Sequence, residues 1–347
     1  MRLRLNRKQT AATAIIGVVT LAGVVFAAAR VIRYPVAKQG KEQRINAIIK
    51  VPYGSIVLNS GTDPDKVAMV ESQTDDPDEN PSMHIRYTGN QTGTQTTLRI
   101  TLGSDEGMLD RPNEIARAWY SSAPNFSPIA FGAVHTDAGS FIPASALLSD
   151  APNSDYVYSP VPTAKSDNDI SRIYLTRDIP ISLYAEMGFG ESLLDLTGLA
   201  LIGSTIQTST SRTRIVSRSP NPTPMSTFTV NAGLGECTVE GICNFNCSTF
   251  DFTGGVGYYE LRFNGTLQKN LEASVGIGCG KVVLNIPPEA GRVQVLYDDN
   301  LLSSFTFQGL VKRRDGFYTS VGFDQSRAPV LTLRLSSGVG KMIVNYH

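Results

Sequence analysis

Gly278-Cys279-Gly280-Lys281-Val282-Val283-Leu284-Asn285-Ile286 places apolar residues at alternate positions after a pair of glycines. The same phrase recurs along the chain. Gly188-Phe189-Gly190 leads to Leu194 and Leu196, and Gly233-Leu234-Gly235 to Val239. Gly255-Val256-Gly257 leads to Leu261 and Phe263, and Gly338-Val339-Gly340 to Val344 and Tyr346. A weaker copy, Ser209-Thr210-Ser211, fills the gap between the first two and leads to Ile215. From 190 through 211, 235 and 257 to 280 the steps are 21, 24, 22 and 23 residues, with a longer gap before 340. A period near 22 with a strand on each side of a glycine corner is a repeat signature, because one such unit cannot bury its own apolar face. It predicts an all-β chain: a β-solenoid, parallel β-helix-like, with two short strands per rung. A lone G-x-G would suggest nucleotide binding, but this one recurs without a βαβ unit around it.

The offsets support the repeat. Seven and five residues before each corner stand Leu183 and Ala185, Ser204 and Ile206, Phe228 and Val230, Phe250 and Phe252, Ala273 and Val275, and Leu333 and Leu335. Residues two apart share one face of a strand. Asp195, Glu260, Arg262 and Arg334 fall on the other, polar face. Ile45 to Ser60 repeats the same offsets around Gly54 and reads as a first rung, with Val67–Val70, Ile85–Tyr87 and Leu98–Leu102 as further strands. Glycine suits a corner that demands positive φ and leaves no room for a side chain.

The N-terminus is a separate unit. Residues 1–10 form a basic head with Arg2, Arg4, Arg7 and Lys8, and Ala11 to Ala29 runs 19 residues without a charge. As a helix that run would span about 28 Å, the thickness of a bilayer's hydrocarbon core. It reads as a single-pass transmembrane anchor at 11–29, with a signal peptide cleaved near Ala27-Ala28-Ala29 as the other reading. A short basic head places the N-terminus inside and the body outside the membrane. Residues 30–44, with Arg30, Arg33, Lys38, Lys41 and Arg44, read as a basic linker, and 45–347 as the β domain.

Residues 105–170 break the period. They are rich in Ser, Pro, Asn and Asp, with Asn113–Tyr120 as a short helix, and they carry the aromatics Trp119, Tyr120, Phe126, Phe131, Phe141, Tyr156 and Tyr158. Long irregular segments inside a repeat array are insertions, often functional ones. These seven aromatics are the candidate recognition surface, or else the insertion's own small core.

From Ile45 onward, with that insertion removed, the chain resembles the "toast-rack" β domains of the LiaF-like, cell-wall-active-antibiotics-response group of bacterial envelope proteins. The matching phrases are Ile181-Ser182-Leu183 through Gly188–Glu191, then Leu194–Leu199, Leu284–Pro287, Gly291–Val295, Asp315–Ser320, Leu331–Leu335 and Gly338–Lys341. The chain departs from that pattern in its insertion, in Ser209 and Ser211, in Asn300 and in having one span rather than several. The resemblance implies a fold and an envelope location. It implies no catalytic residues.

Chemistry is sparse. Basic and acidic residues balance at 31 each, so no net field favours nucleic acid. The three histidines, His84, His135 and His347, lie far apart, and no HExxH, GxSxG or phosphate-loop sequence occurs. The acidic turn Asp75–Pro81 lacks the ligand spacing of a calcium loop. Asp195, Glu240, Arg262, Asn285 and Asn345, read as the first outward positions after the corners, do not form an acidic cluster. Cys237, Cys243, Cys247 and Cys279 match no zinc pattern and read as packed thiols rather than two disulfides. No cofactor, no metal and no enzymatic activity is expected. The expectation is a non-catalytic binding, scaffold or sensor-accessory protein at the cell membrane. Its partner would be an envelope protein or a second copy, with a polysaccharide-binding or -cleaving β-helix and a self-assembling subunit as alternatives.

Overall fold

A computed structural model describes residues 30–74, 83–89, 94–103, 170–298 and 300–347. Among these residues the fold is all-β, with seventeen strands in one sheet. The first group is β1 (Arg30–Ala37), β2 (Arg44–Tyr53), β3 (Ser55–Ser60), β4 (Lys66–Thr74), β5 (Met83–Gly89), β6 (Gln95–Leu102) and β7 (Ile170–Leu175). The long strands β8 (Ile181–Asp195), β9 (Leu201–Val216), β10 (Met225–Glu240), β11 (Cys247–Arg262) and β12 (Leu271–Ile286) follow. Then come β13 (Arg292–Tyr297), β14 (Ser303–Gln308), β15 (Val311–Arg314), β16 (Phe317–Thr319) and the last long strand, β17 (Val330–Tyr346).

Each glycine phrase is the bend of one continuous strand, not a loop between two short ones. Ladder pairing passes through the corner. Gly190 faces Ser211, which faces Gly235, followed by Gly257, Gly280 and Gly340 in one register. Gly190, Gly235, Gly280 and Gly340 hold φ of 129°, 119°, 128° and 148°, a region in which a side chain is strained. The crowding comes from the neighbouring rung rather than from the inside of the coil. A Cβ on Gly257, Gly280 or Gly340 would lie 2.0 Å from the carbonyl oxygen of the preceding corner. Gly188, Gly233, Gly255, Gly278 and Gly338 abut carbonyls in the same way, at 2.1–2.9 Å. Ser211 keeps its side chain without positive φ and bonds Thr213 through the two hydroxyls at 3.0 Å.

The predicted inner columns are observed. Leu98, Ala47, Leu183, Ser204, Phe228, Phe250, Ala273, Leu333 and Val295 form one buried row across successive rungs. Large rings beside Ser204 and Ala273 fill the row unevenly, so layers interlock. Phe250 sits between Phe228 and Phe263 at ring distances of 5.6 and 6.3 Å. Past the corner, Leu194, Ile215, Val239, Leu261, Leu284 and Val344 form the facing row. Asparagines hold the returns between rungs: Asn221 bonds both the N–H (3.0 Å) and the carbonyl (2.7 Å) of Leu201, and Asn244 donates to Ser217 O at 2.9 Å.

Order in space departs from order in sequence at both ends. The rung β2/β3 lies between β8 and a rung assembled from β6 and β7. β17 lies between β12 and the rung made of β13 and β14. The long gap before Gly340 is therefore one rung plus its cap. Antiparallel strands close the stack: β5 on β6, β4 and then β1 on β7, and β16 and then β15 on β13. Residues 30–44 are not a plain linker. β1 is the outermost strand beside β4, where Arg33 donates to Glu71 at 2.7 Å, and Lys38 pairs with Asp178 at 2.9 Å. Backbone pairing outweighs the polar composition there because β4 presents a free edge that β1 covers. The head, the expected anchor 11–29 and the turn 75–81 lie outside the described residues, and among the described residues no helix is long and apolar enough to cross a membrane.

Candidate binding surfaces

The bends stack into a ridge. The middle residue of each glycine phrase lies beside its counterpart, so Tyr53, Phe189, Thr210, Leu234, Val256, Cys279 and Val339 form one line. Leu234 and Val256 are 36% and 43% exposed, and the rings of Tyr53 and Phe189 stack at 5.7 Å. The sequence signal for this line is the mostly apolar character of the residue between the glycines.

The insertion leaves from this ridge. Thr101 faces Lys50 at the end of one arm, and Ile170 faces Ser55 at the start of the other. Between these two pairs the neighbouring rung has only its corner, 51–54. The expected helix 113–120 and the aromatics Trp119, Tyr120, Phe126, Phe131, Phe141, Tyr156 and Tyr158 lie outside the described residues.

The outer face beyond the corner carries a charge lattice. The first outward row is Glu191, Arg212, Glu236, Tyr258, Lys281 and Lys341; Asp195, Glu240, Arg262, Asn285 and Asn345 lie in a row two pleats further along, in which the buried Val216 separates Asp195 from Glu240. Arg212 bridges Glu191 at 3.4 Å and Glu236 at 3.0 Å. Arg262 bridges Glu260 at 2.8 Å and Glu240 at 3.2 Å, and Arg214 reaches Glu240 at 2.9 Å. Asn285 donates to Glu260 and Asn345 to Asn285, both at 2.9 Å. Burial alone would raise the Asp195 carboxyl, but hydrogen bonds from Thr197 and the Arg218 guanidinium outweigh it and hold it below the usual carboxylate range. The carboxylates of this face are tied into a surface network.

The outer face before the corner is nearly neutral. A shallow open depression lies there over Tyr184, Gly203, Thr205, Thr227 and Thr229. No atom lies within 4 Å of where a Gly203 Cβ would stand.

The four cysteines are free thiols, with Cys237, Cys243 and Cys247 buried and Cys279 half-buried on the ridge. Burial pushes the first three up to about 12, so they remain protonated and serve as packing. His84 lies on β5 and His347 ends the chain, while His135 is outside the described residues. Among the described residues no group of three His, Cys, Asp or Glu could hold a metal ion.

No family model matches the chain, and no curated protein matches it in sequence. Two solved structures align along most of its length. A candidate cell adhesion protein from Clostridium sporogenes is 10% identical, with a TM-score of 0.40, 92% of this chain covered and 100% of that one. A candidate adhesin from Bacteroides fragilis is 12% identical, with a TM-score of 0.36, 91% of this chain covered and 96% of that one. At these values neither likeness assigns a fold or a function, and the chain is placed in no family by them.

Proposed function

We propose that this chain is a non-catalytic binding scaffold of the cell envelope. In this reading it is a rigid β-solenoid, tethered by residues 11–29 with its body outside the membrane, and it displays residues 105–170 to a partner protein. One observation supports the reading above the rest. The insertion departs beside Lys50 and returns beside Ser55, at the bend of a rung whose flanking arms keep their full register. A scaffold built this way carries a long segment at no cost to its ladder, which is how binding loops sit on rigid frames. The arginine-tied carboxylates of the outer face fit binding better than hydrolysis. The toast-rack resemblance points to the same compartment.

The test is a chain in which 105–169 is replaced by a short Gly-Ser corner. It is expected to keep the circular dichroism spectrum and thermal midpoint of the parent. It is expected to lose the partners that the parent captures from membranes by in-cell crosslinking. An unchanged partner set would overturn the proposal.

A further inference from the structure

The stack has four arm ends, and three of them are covered. β5 lies on β6, β4 and β1 lie on β7, and β16 and β15 lie on β13. The fourth is β14, which pairs with β17 along Ser303–Gln308 and, among the described residues, with no strand on its other side. The outermost strands also differ in composition. β1 carries Arg30, Arg33 and Pro35; β5 carries His84 and Arg86; β15 carries Lys312, Arg313 and Arg314. Charges and proline on an edge discourage further pairing. β14 reads Ser303-Ser304-Phe305-Thr306-Phe307-Gln308, with neither charge nor proline. Among the described residues it is the one outermost strand that lacks the usual protection.

We propose that β14 is where two copies of this chain join, strand to strand, antiparallel about a two-fold axis. The sequence of the strand fits its own copy. It is symmetric in polarity about Thr306: phenylalanine on either side, then Ser304 and Gln308. In an antiparallel pair centred there, Thr306 faces Thr306, Phe305 faces Phe307 of the second copy on the inner side, and Ser304 faces Gln308 on the outer side. A two-fold contact needs that self-complementarity. The inner side is prepared for it. Phe305 and Phe307 are only partly buried, and they belong to a cluster in which Tyr297 lies 4.7 Å from Phe305 and Tyr318 stacks on Phe307 at 4.1 Å. The rings of a second copy extend that cluster, and facing aromatic pairs stabilise antiparallel strands. The antiparallel sense matches the rest of the molecule, since every strand that closes a rung end does so antiparallel. This pairing is independent of the role proposed for the insertion.

Sedimentation velocity of the purified full chain, across a wide concentration range, tests it. The expected result is a reversible dimer. Thr306→Lys opposes two like charges across the axis and is expected to weaken the dimer by about tenfold or more, with the circular dichroism spectrum unchanged. Ser304→Lys combined with Gln308→Glu places opposite charges face to face and is expected to keep the dimer. In a Cys279→Ser background, Thr306→Cys is expected to give a disulfide-linked dimer on mild oxidation. A monomer at every concentration, assembly beyond two copies, or a dimer indifferent to Thr306→Lys would each overturn the proposal.

Discussion

Gly280→Ala is the sharpest test of the stacked corner. The new Cβ would lie 2.0 Å from the Gly257 carbonyl oxygen and 3.0 Å from the Gly257 carbon and nitrogen, at φ 128°. Relief requires the two rungs to part by about 1 Å at the corner, since non-bonded carbon needs well over 3 Å. That opening costs the ladder hydrogen bonds beside the bend, each about 1 kcal/mol net. Left-handed backbone with a side chain adds about 1–2 kcal/mol. The sum is roughly 3–4 kcal/mol, a large share of a domain's stability. Gly203→Ala is the matched control: no atom lies within 4 Å of its Cβ and its φ is not left-handed, so stability is expected to hold or rise by about 0.5–1 kcal/mol. Urea unfolding of the purified full chain, followed by circular dichroism, measures both. A Gly280→Ala midpoint no lower than that of Gly203→Ala would refute the steric account of the corners.

Other outcomes follow from the same geometry. Phe250→Ala removes a fully buried ring held between Phe228 and Phe263 and is expected to cost about 3–5 kcal/mol, read as a lowered urea midpoint. A membrane-impermeant thiol reagent is expected to label only Cys279 in the folded chain and all four cysteines in urea, counted by mass spectrometry. Asp195 has a carboxyl held below its unfolded value, so the native state binds fewer protons and stability falls as pH drops from above about 4 through its folded value. Asp195→Asn is expected to flatten that acid limb of the stability curve while leaving its shape near neutrality.

Most of the rung was legible in the sequence because each of its determinants is local. Alternation at two residues sets which side chains face in, and a glycine at fixed phase sets the bend; hence Leu183, Phe228, Phe250 and Leu333 fall in one buried row as expected. Three features were not legible. The ion-pair lattice joins Arg262 to Glu240, and Arg212 to both Glu191 and Glu236, across rungs, and a period does not state which neighbour a side chain leans toward. The placement of β17 between β12 and β13 is also invisible to a period, which gives spacing and no spatial order. β1 was hidden by composition: Arg33 and Pro35 read as solvated chain until β4 supplies an edge. The insertion was visible as a break, yet its attachment at a bend required the pairings of Thr101 and Ile170.

The position of β17 also has a meaning in time. β13 and β14 have no long strand to lean on except β17, because β12 is already paired on that side by β17 itself. A chain made from its N-terminus can add β8 through β12 one after another, each onto a finished neighbour. β13 and β14 must then wait, with their apolar faces open, until Val330–Tyr346 emerges and slides between. Val330–Tyr346 therefore completes two rungs at once. A chain that stops at Pro329 is expected to leave residues 292–319 open to protease while β8–β12 stay resistant, and equal resistance of both regions would show that the delay does not exist.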